Sequence, residues 1–326
     1  FSSSRRHTRS STVSWARRCV YETGAERFED LEAALAHVHD HPGPCVVKAC
    51  GLAAGKGVVV CEEAEEAAAA LRSMMGDGVF GEAGRSVLVE ERLEGPELSI
   101  FAVLDGRRAA WFAASRDHKR LRDRDEGPNT GGMGAFTPVA DAGSQLMDRM
   151  VGQILEPSLA ELHRRRLDYR GLLYLGLMLT EDGPKVLEYN CRFGDPETQV
   201  VLPCYPGDLY ELLAGAADGS LPVCGELQRS GTAVGIVLAS AGYPAAPVKG
   251  RPIEGLEDLP EAALVFHAGT RQDDGRWLTA GGRVLCVVGR GEDLAAARRE
   301  AAEFAEVVRF EGAQYRTDIA ATEVGA

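Results

Sequence analysis

The sequence contains no C-x-x-C pair, no internal repeat and no low-complexity tract. It also lacks any apolar run near the roughly 20 residues that a bilayer-crossing helix needs, so no membrane association is expected. Its eight cysteines are scattered at 19, 45, 50, 61, 191, 204, 224 and 286. None has metal-ligand spacing and the set does not read as a disulfide framework, so small buried thiols in a reducing cytoplasm are expected. Basic residues are the scarcer charge, 36 Lys and Arg against 49 Asp and Glu, which leaves a net charge of −13. General affinity for nucleic acid rests on neutralising phosphates with Lys and Arg, and this balance argues against it. Small anionic ligands stay open, because local clusters of positive charge outrank the global sum.

At 326 residues, with 45% hydrophobic and 26% charged, the chain has room for two or three modest domains with real cores. Residues 1–20 stand apart: they hold five arginines and many serines, and no acid precedes Glu22. That composition resembles a transit peptide, but the chain opens on Phe1, and the expectation is an unstructured arm. Phe28, Leu31, Leu35 and Val38 recur at helical spacing up to His41-Pro42-Gly43-Pro44. Two short strands, 45–48 and 57–61, flank a glycine-rich stretch, and an Ala-rich helix follows over 62–75. A strand is expected over 86–90, and 98–104 pairs with 109–114 through the hairpin signal Asp105-Gly106. The segment 115–138 is a long polar loop, of a length that is usually functional or disordered. Helical patterning returns over 143–166. A second hairpin joins 172–180 to 185–189. From about Thr232 the chain reads as an α+β closing module, with a helix whose stripe is Leu294, Ala297, Ala301, Phe304 and Val308.

Four stretches carry residues suited to chemistry. In Leu187-Glu188-Tyr189-Asn190, alternate side chains of a strand face one way, so Glu188 and Asn190 present hard oxygen ligands together. Arg192 and the turn Gly194-Asp195-Pro196 follow directly. The competing reading is a buried strand end with a polar turn. Gly51-Leu52-Ala53-Ala54-Gly55-Lys56-Gly57 is not a Walker loop, since only three residues separate the first two glycines and no Ser or Thr follows the lysine. A mobile flap over phosphates, with Lys48 and Lys56 adding charge, competes there with an ordinary flexible hairpin. In Glu90-Glu91-Arg92-Leu93-Glu94-Gly95-Pro96-Glu97, Glu90 and a backbone amide would reach an adenine edge. Leu93 would pack on the ring and Glu97 would accept from ribose hydroxyls; a solvated acidic turn is the alternative. Asp117-His118-Lys119-Arg120 and Gly127-Pro128-Asn129-Thr130-Gly131-Gly132-Met133-Gly134 combine charge with glycines that allow close backbone approach. His118 by itself reads as a structural or solvent-facing histidine rather than as a general base.

Together these stretches, with Arg192-Phe193-Gly194-Asp195-Pro196-Glu197-Thr198-Gln199, resemble the ATP-grasp superfamily, and within it the phosphoribosylamine–glycine ligase family. The likeness runs from about Tyr21 to Asp318. It implies an α+β ATP-grasp fold: a helical lead-in over 21–44, a flap subdomain over 45–115, a larger metal-bearing subdomain over 116–228 and a closing module over 229–326. It implies ATP held by Lys48, Gly55, Lys56, Gly57, Glu90, Glu91, Leu93 and Glu97, between the flap and the larger sheet, with Mg2+ or Mn2+ on Glu188 and Asn190. Glycine and 5-phosphoribosylamine would be the substrates, joined through glycyl phosphate. Arg192 would hold the substrate carboxylate or the moving phosphoryl group, and Lys119 would neutralise charge. Asp117, Asn129, Thr130, Gly131, Gly132 and Asp195 would line the acceptor side.

Three departures accompany the resemblance. Position 50 is Cys and position 116 is Arg where the family usually has Asp and Gln. The family's usual leading Rossmann-like domain has no counterpart here, so a fragment or a shifted reading frame upstream of Tyr21 is expected. An Mg·ATP-binding fragment without ligase activity, and a different ATP-grasp carboxylate–amine ligase, remain the alternatives to the ligase.

Overall fold

The structure is a computed structural model that describes residues 24–51 and 57–324. The expected arm over 1–20, and Gly55 and Lys56 of the glycine-rich stretch, lie outside the described residues. The chain divides into two compact units. One takes the described part of Phe1–Pro96 with Met150–Glu161 and Met178–Leu187; the other takes Glu97–Arg149, Leu162–Leu177 and the chain from Glu188.

In the first unit, β1 (Ala25–Phe28), β2 (Cys45–Ala49), β3 (Val58–Cys61) and β4 (Val87–Glu91) form an antiparallel sheet in the order β1-β4-β2-β3. The expected 45–61 hairpin is there, with Lys48 opposite Val58 and the Ala49 N–H donating to the Gly57 carbonyl at 2.8 Å. Phe28, counted above as helical, instead ends β1. The helix starts at Leu31 because Asp30 caps it, its carboxylate accepting from the Ala33 N–H at 2.8 Å. Helices α1 (Leu31–Asp40) and α2 (Ala64–Leu71) bury Ala34, Val38, Ala67 and Leu71 against Val47, Val87 and Val89. Each large apolar side chain buried this way contributes about 1.5–3 kcal/mol.

The second unit begins with β5 (Glu97–Asp105) and β6 (Ala109–Trp111), a hairpin turned at Gly106 with φ +91°. The stretch expected as a polar loop is ordered instead into four short strands: β7 (Arg116–Asp117), β8 (Arg120–Arg122), β9 (Glu126–Asn129) and β10 (Gly134–Thr137). Its charged surface hid this, because the ladder is held by backbone pairs and not by apolar alternation. The predicted 143–166 helix is three pieces, α3 (Ser144–Met150), a π turn over Val151–Leu155 and α4 (Glu156–Arg164). Pro157 has no N–H to continue the ladder, and a wider turn precedes it.

Strands β11 (Arg170–Thr180) and β12 (Gly183–Asn190) give the second expected hairpin, in a sheet ordered β12-β11-β5-β6-β13 with β13 at Gly225–Glu226. Helices α5 (Glu197–Val201) and α6 (Leu209–Asp218) follow β12. The closing part holds β14 (Thr232–Ala239), β15 (Leu264–His267), β16 (Thr270–Asp273), β17 (Arg276–Thr279) and β18 (Arg283–Gly291). Its helix α7 (Leu294–Val307) buries the predicted Ala297, Ala301 and Phe304. It lies so close on β18 that a Cβ at Gly289 would stand 2.3 Å from the Ala297 carbonyl oxygen. One sheet runs β15-β18-β14-β10-β7, so the strand carrying Asp117 is built onto the closing strands. Phe101, Phe112, Tyr174, Val200 and Val237 share the core beneath.

A buried cation ties the far end of the chain to the 120–125 segment. Arg316, only 1% exposed, donates to Asp318 at 2.7 and 2.8 Å, to Asp125 at 2.7 Å and to the Arg120 carbonyl at 3.2 Å. Partial burial alone would raise the Asp318 carboxyl, but Arg316 and the Arg124 N–H hold it at about 2. An acid depressed in the folded state adds stability above its unfolded value and loses it as pH falls toward the folded one. Arg316→Ala is therefore expected to cost about 2–4 kcal/mol near neutrality, less than a fully buried pair because Asp125 reaches solvent. The gap from wild type should narrow between about pH 4 and pH 2, as read by urea unfolding.

Candidate functional site

The first unit brings together two of the residues expected at the nucleotide, Lys48 and Glu90. The β2 strand end carries Lys48, whose Nζ pairs with Glu90 Oε2 at 2.6 Å and donates to the Leu187 carbonyl at 3.3 Å. Glu90 is buried opposite Val46, so the pair is a charge-balanced strand end whose cation is one-fifth exposed. Glu91, next along β4, faces the other way and pairs with Lys185 at 2.8 Å. Partial burial opposes its ionisation, but Lys185 and the Gly24 N–H outweigh that and hold it below the usual carboxylate range. Leu93 is half-buried in the turn that follows, and Gly57 is buried at the mouth of the hairpin.

The second unit gathers the charged residues. Glu188 and Asn190 do share a face of β12: the Asn190 Nδ2 donates to Glu188 Oε1 at 3.0 Å, which leaves Asn190 Oδ1 and Glu188 Oε2 free of partners among the described residues. A Cβ at Gly176 on the neighbouring strand would meet Glu188 Cγ at 3.1 Å, so the glycine makes room for that side chain. Glu97, expected on ribose hydroxyls, is ion-paired with Lys119. Burial alone would lower the Lys119 ammonium, but Asp117, Glu97 and Glu188 overcome it and hold the charge firmly in place. Asp117 goes the other way. Burial, reinforced by Glu197 and Glu97 and only partly offset by Lys119, lifts its carboxyl from 3.8 to about 7.

Glu197 is a further buried acid acting on Asp117. It is 4% exposed and accepts from Ser99 Oγ at 3.1 Å; Ser99 in turn meets the Tyr174 hydroxyl at 2.9 Å. A Cβ at Gly194 would stand 2.7 Å from its carboxylate. An acid at the start of a short apolar helix after Gly194-Asp195-Pro196 was the available signal. Burial and then Arg316 press His118 down to about 4, so its neutral ring serves as a structural acceptor for the Ala320 N–H, as expected.

The glycine-rich segment 127–134 folds back along 118–119. The Thr130 N–H and hydroxyl both donate to the Lys119 carbonyl, at 2.8 and 2.7 Å, and the Met133 N–H donates to the His118 carbonyl at 2.7 Å. Gly132, at φ +108°, lies where a Cβ would meet Pro196 at 2.5 Å, so glycine is needed both for conformation and for approach. Asn129 is exposed at the end of β9. Two closing-module residues hold this segment and were not singled out for it: the Gly131 N–H donates to the Tyr243 hydroxyl at 2.9 Å, and Arg283 reaches the Gly131 and Asp195 carbonyls. Arg192 is exposed beyond β12, donating to the Phe193 carbonyl at 2.9 Å.

Among the described residues no group of three His, Cys, Asp or Glu converges as a metal cage. A magnesium site does not need one, since that ion usually keeps several waters and takes one or two protein oxygens plus substrate phosphates. The hard-oxygen pair Glu188 and Asn190 fits that demand.

The comparisons with known proteins agree in direction. Residues 15–198 match the family model for the phosphoribosylglycinamide synthetase ATP-grasp (A) domain, and residues 233–322 match that for the C domain. The chain is 44% identical over 306 residues to a phosphoribosylamine–glycine ligase of Vibrio vulnificus, covering 93% of this chain and 71% of the relative. The crystal structure of phosphoribosylamine–glycine ligase from Thermotoga maritima superposes with a TM-score of 0.84 at 38% identity, over 94% of this chain and 77% of that one. A biotin carboxylase domain from Hydrogenobacter thermophilus, solved with MgADP, shares the fold at a TM-score of 0.71 and 16% identity, over 93% of this chain and 66% of that one. The fold is ATP-grasp, and the chain belongs to the phosphoribosylamine–glycine ligase family.

Proposed function

We propose that this chain joins glycine to 5-phosphoribosylamine at the expense of ATP, forming glycinamide ribonucleotide, ADP and phosphate. The observation that carries the reading is the Glu188–Asn190 oxygen pair in the same charged cluster as Lys119 and the carboxyls of Asp117 and Glu97. A carboxylate is a poor electrophile until one of its oxygens belongs to a leaving group. Transfer of the ATP γ-phosphoryl to the glycine carboxylate makes glycyl phosphate; the amine then attacks the carbonyl carbon, the C–O bond to phosphate breaks and the amine gives up a proton. Mg2+ or Mn2+, held by Glu188 and Asn190, would supply positive charge against the phosphates.

The protein's own residues divide the rest. Lys48, with Lys56, Gly55 and Gly57 of the glycine-rich stretch, neutralises the polyphosphate, while Glu90, Glu91, Leu93 and Glu97 are assigned to the nucleoside. Lys119, kept charged by its acidic neighbours, balances the charge that accumulates during transfer, and Arg192 holds the transferred group. Asp117 lies near neutrality in its affinity for a proton, which suits it to take the one released by the attacking amine. Asn129, Thr130, Gly131, Gly132 and Asp195 line the acceptor side. The free buried thiols Cys45, Cys61, Cys204 and Cys286 support the reducing cytoplasmic setting.

Glu188→Ala is expected to abolish the Mg2+-dependent thermal stabilisation by ATP and leave the far-ultraviolet circular dichroism unchanged. Unaltered nucleotide affinity would remove the metal assignment. Wild-type stabilisation by Mg·ATP without turnover of glycine and phosphoribosylamine would leave the chain a nucleotide-binding protein.

Asp117→Asn is expected to slow turnover by about a hundredfold and to erase the pH-rate limb near neutrality. The stability effect has the opposite sign from Asp318. Folding favours the protonated Asp117, so this residue subtracts stability as pH rises from 3.8 through about 7. The variant should therefore melt above wild type at about pH 8, and that advantage should fade by about pH 5. Parallel melting curves across that range would refute the raised affinity.

A further inference from the structure

Arg283 opens β18 after Gly281-Gly282, a charged residue entering a strand whose next six residues are buried. One nitrogen does its structural work. Nη1 donates to the Gly131 carbonyl at 2.6 Å and the Asp195 carbonyl at 2.7 Å, and lies 3.2 Å from Asp195 Oδ1 and 3.5 Å from the Gly132 carbonyl. The other edge of the guanidinium, Nε and Nη2 with their three N–H groups, makes no hydrogen bond among the described residues. The guanidinium packs face-on against the bare Cα of Gly131: a Cβ there would stand 3.1 Å from Cζ, 3.2 Å from Nη2 and 3.3 Å from Nε, over the plane and not beyond its edge. Gly131 carries no left-handed φ, so the backbone does not demand glycine at this position. What its missing side chain preserves is the seat of the guanidinium itself, whose free edge carries a flat pair of donors, the geometry that grips two oxygens of one anion.

Acceptors stand at the Nη1 end of the same guanidinium. Asp195 Oδ1 accepts from Gln199 Nε2 at 3.1 Å, and Oδ2 has no partner among the described residues. Gln199 Oε1 is buried and unpartnered as well. A buried polar atom left this way costs free energy unless a ligand satisfies it.

We propose that Arg283, through Nε and Nη2, seats the carboxylate of an amino acid whose ammonium group meets Asp195 and Gln199. This rests on the ligase reading and assigns the glycine substrate to this place, leaving Arg192 to the phosphoryl group. The alternative anion, the phosphate of phosphoribosylamine, suits the pair less well. Asp195 already offsets the guanidinium at 3.2 Å, so a dianion would meet a net-neutral pair with a carboxylate facing it, whereas a zwitterion presents the complementary sign to each group.

The test compares the full chain with Gly131→Ala and Arg283→Lys. Isotope-labelled glycine is followed by NMR titration, and ribose 5-phosphate and Mg·ATP by calorimetry. Gly131→Ala presses a methyl onto the face of the guanidinium and displaces its free edge without removing the charge, and Arg283→Lys keeps the charge but loses the fork. Both are expected to weaken glycine about tenfold or more, the size expected for a lost charge-assisted hydrogen bond, with ribose 5-phosphate and Mg·ATP unchanged. Unchanged glycine binding in Gly131→Ala overturns the proposal. So does selective loss of ribose 5-phosphate, or parallel loss of all three ligands, the mark of a purely structural clamp. Failure of the wild-type chain to bind Mg·ATP would count against the ligase reading itself, separately from Arg283.

Discussion

Lys119 holds its charge against burial because carboxyls surround it, and the second unit's charged region depends on that balance. Taken alone, the desolvation of an ammonium would favour its neutral form; Asp117, Glu97 and Glu188 reverse the preference. The same arithmetic gives the carboxyls different characters. Glu97 has the ion pair to itself. Asp117 sees Lys119 too, but Glu97 and Glu197 and its own burial prevail, so it retains a proton to near neutrality. One cation among several acids thus produces a fixed positive charge and a titratable acid within one cluster. The roles proposed for Lys119 and Asp117 require that pairing.

Geometry is kept by backbone pairing as much as by charge. The two-residue strand Arg116–Asp117 is short for a stable pairing, yet it is the edge of a five-stranded sheet in which β10 joins it to β14, β18 and β15 of the closing part of the chain. Residues 130–133 are then tied to 118–119 by main-chain bonds, and Tyr243 and Arg283 fasten the outer side. A segment that is polar in sequence therefore acquires the rigidity that positioned donors need.

Motif chemistry picked out the candidate site residues before any coordinates, and the strand pattern placed some of them side by side. Alternation placed Glu188 and Asn190 on one face, and the hydrogen bond between them confirms the shared side. Apolar periodicity found the hairpins and the α7 stripe. What escaped has specific physical causes. Phe28 fitted a helical spacing by chance, and only the Asp30 cap fixes where the helix begins. The strands within 115–138 have no hydrophobic alternation to reveal them. Glu197 and Arg283 each acquire meaning from residues distant in sequence: Ser99 for one, Gly131 for the other. A lone acid or a lone arginine carries no such partner in its local pattern.

The Arg316 clasp also sets an order of events. Its contact with Arg120 joins residues 196 apart in sequence. A chain emerging from the ribosome amino end first presents the 118–125 segment long before the arginine that fastens it. The segment bearing Asp117 and Lys119 therefore gains this fastening only after the intervening residues have been made, so its charged centre waits on chain synthesised long after its own.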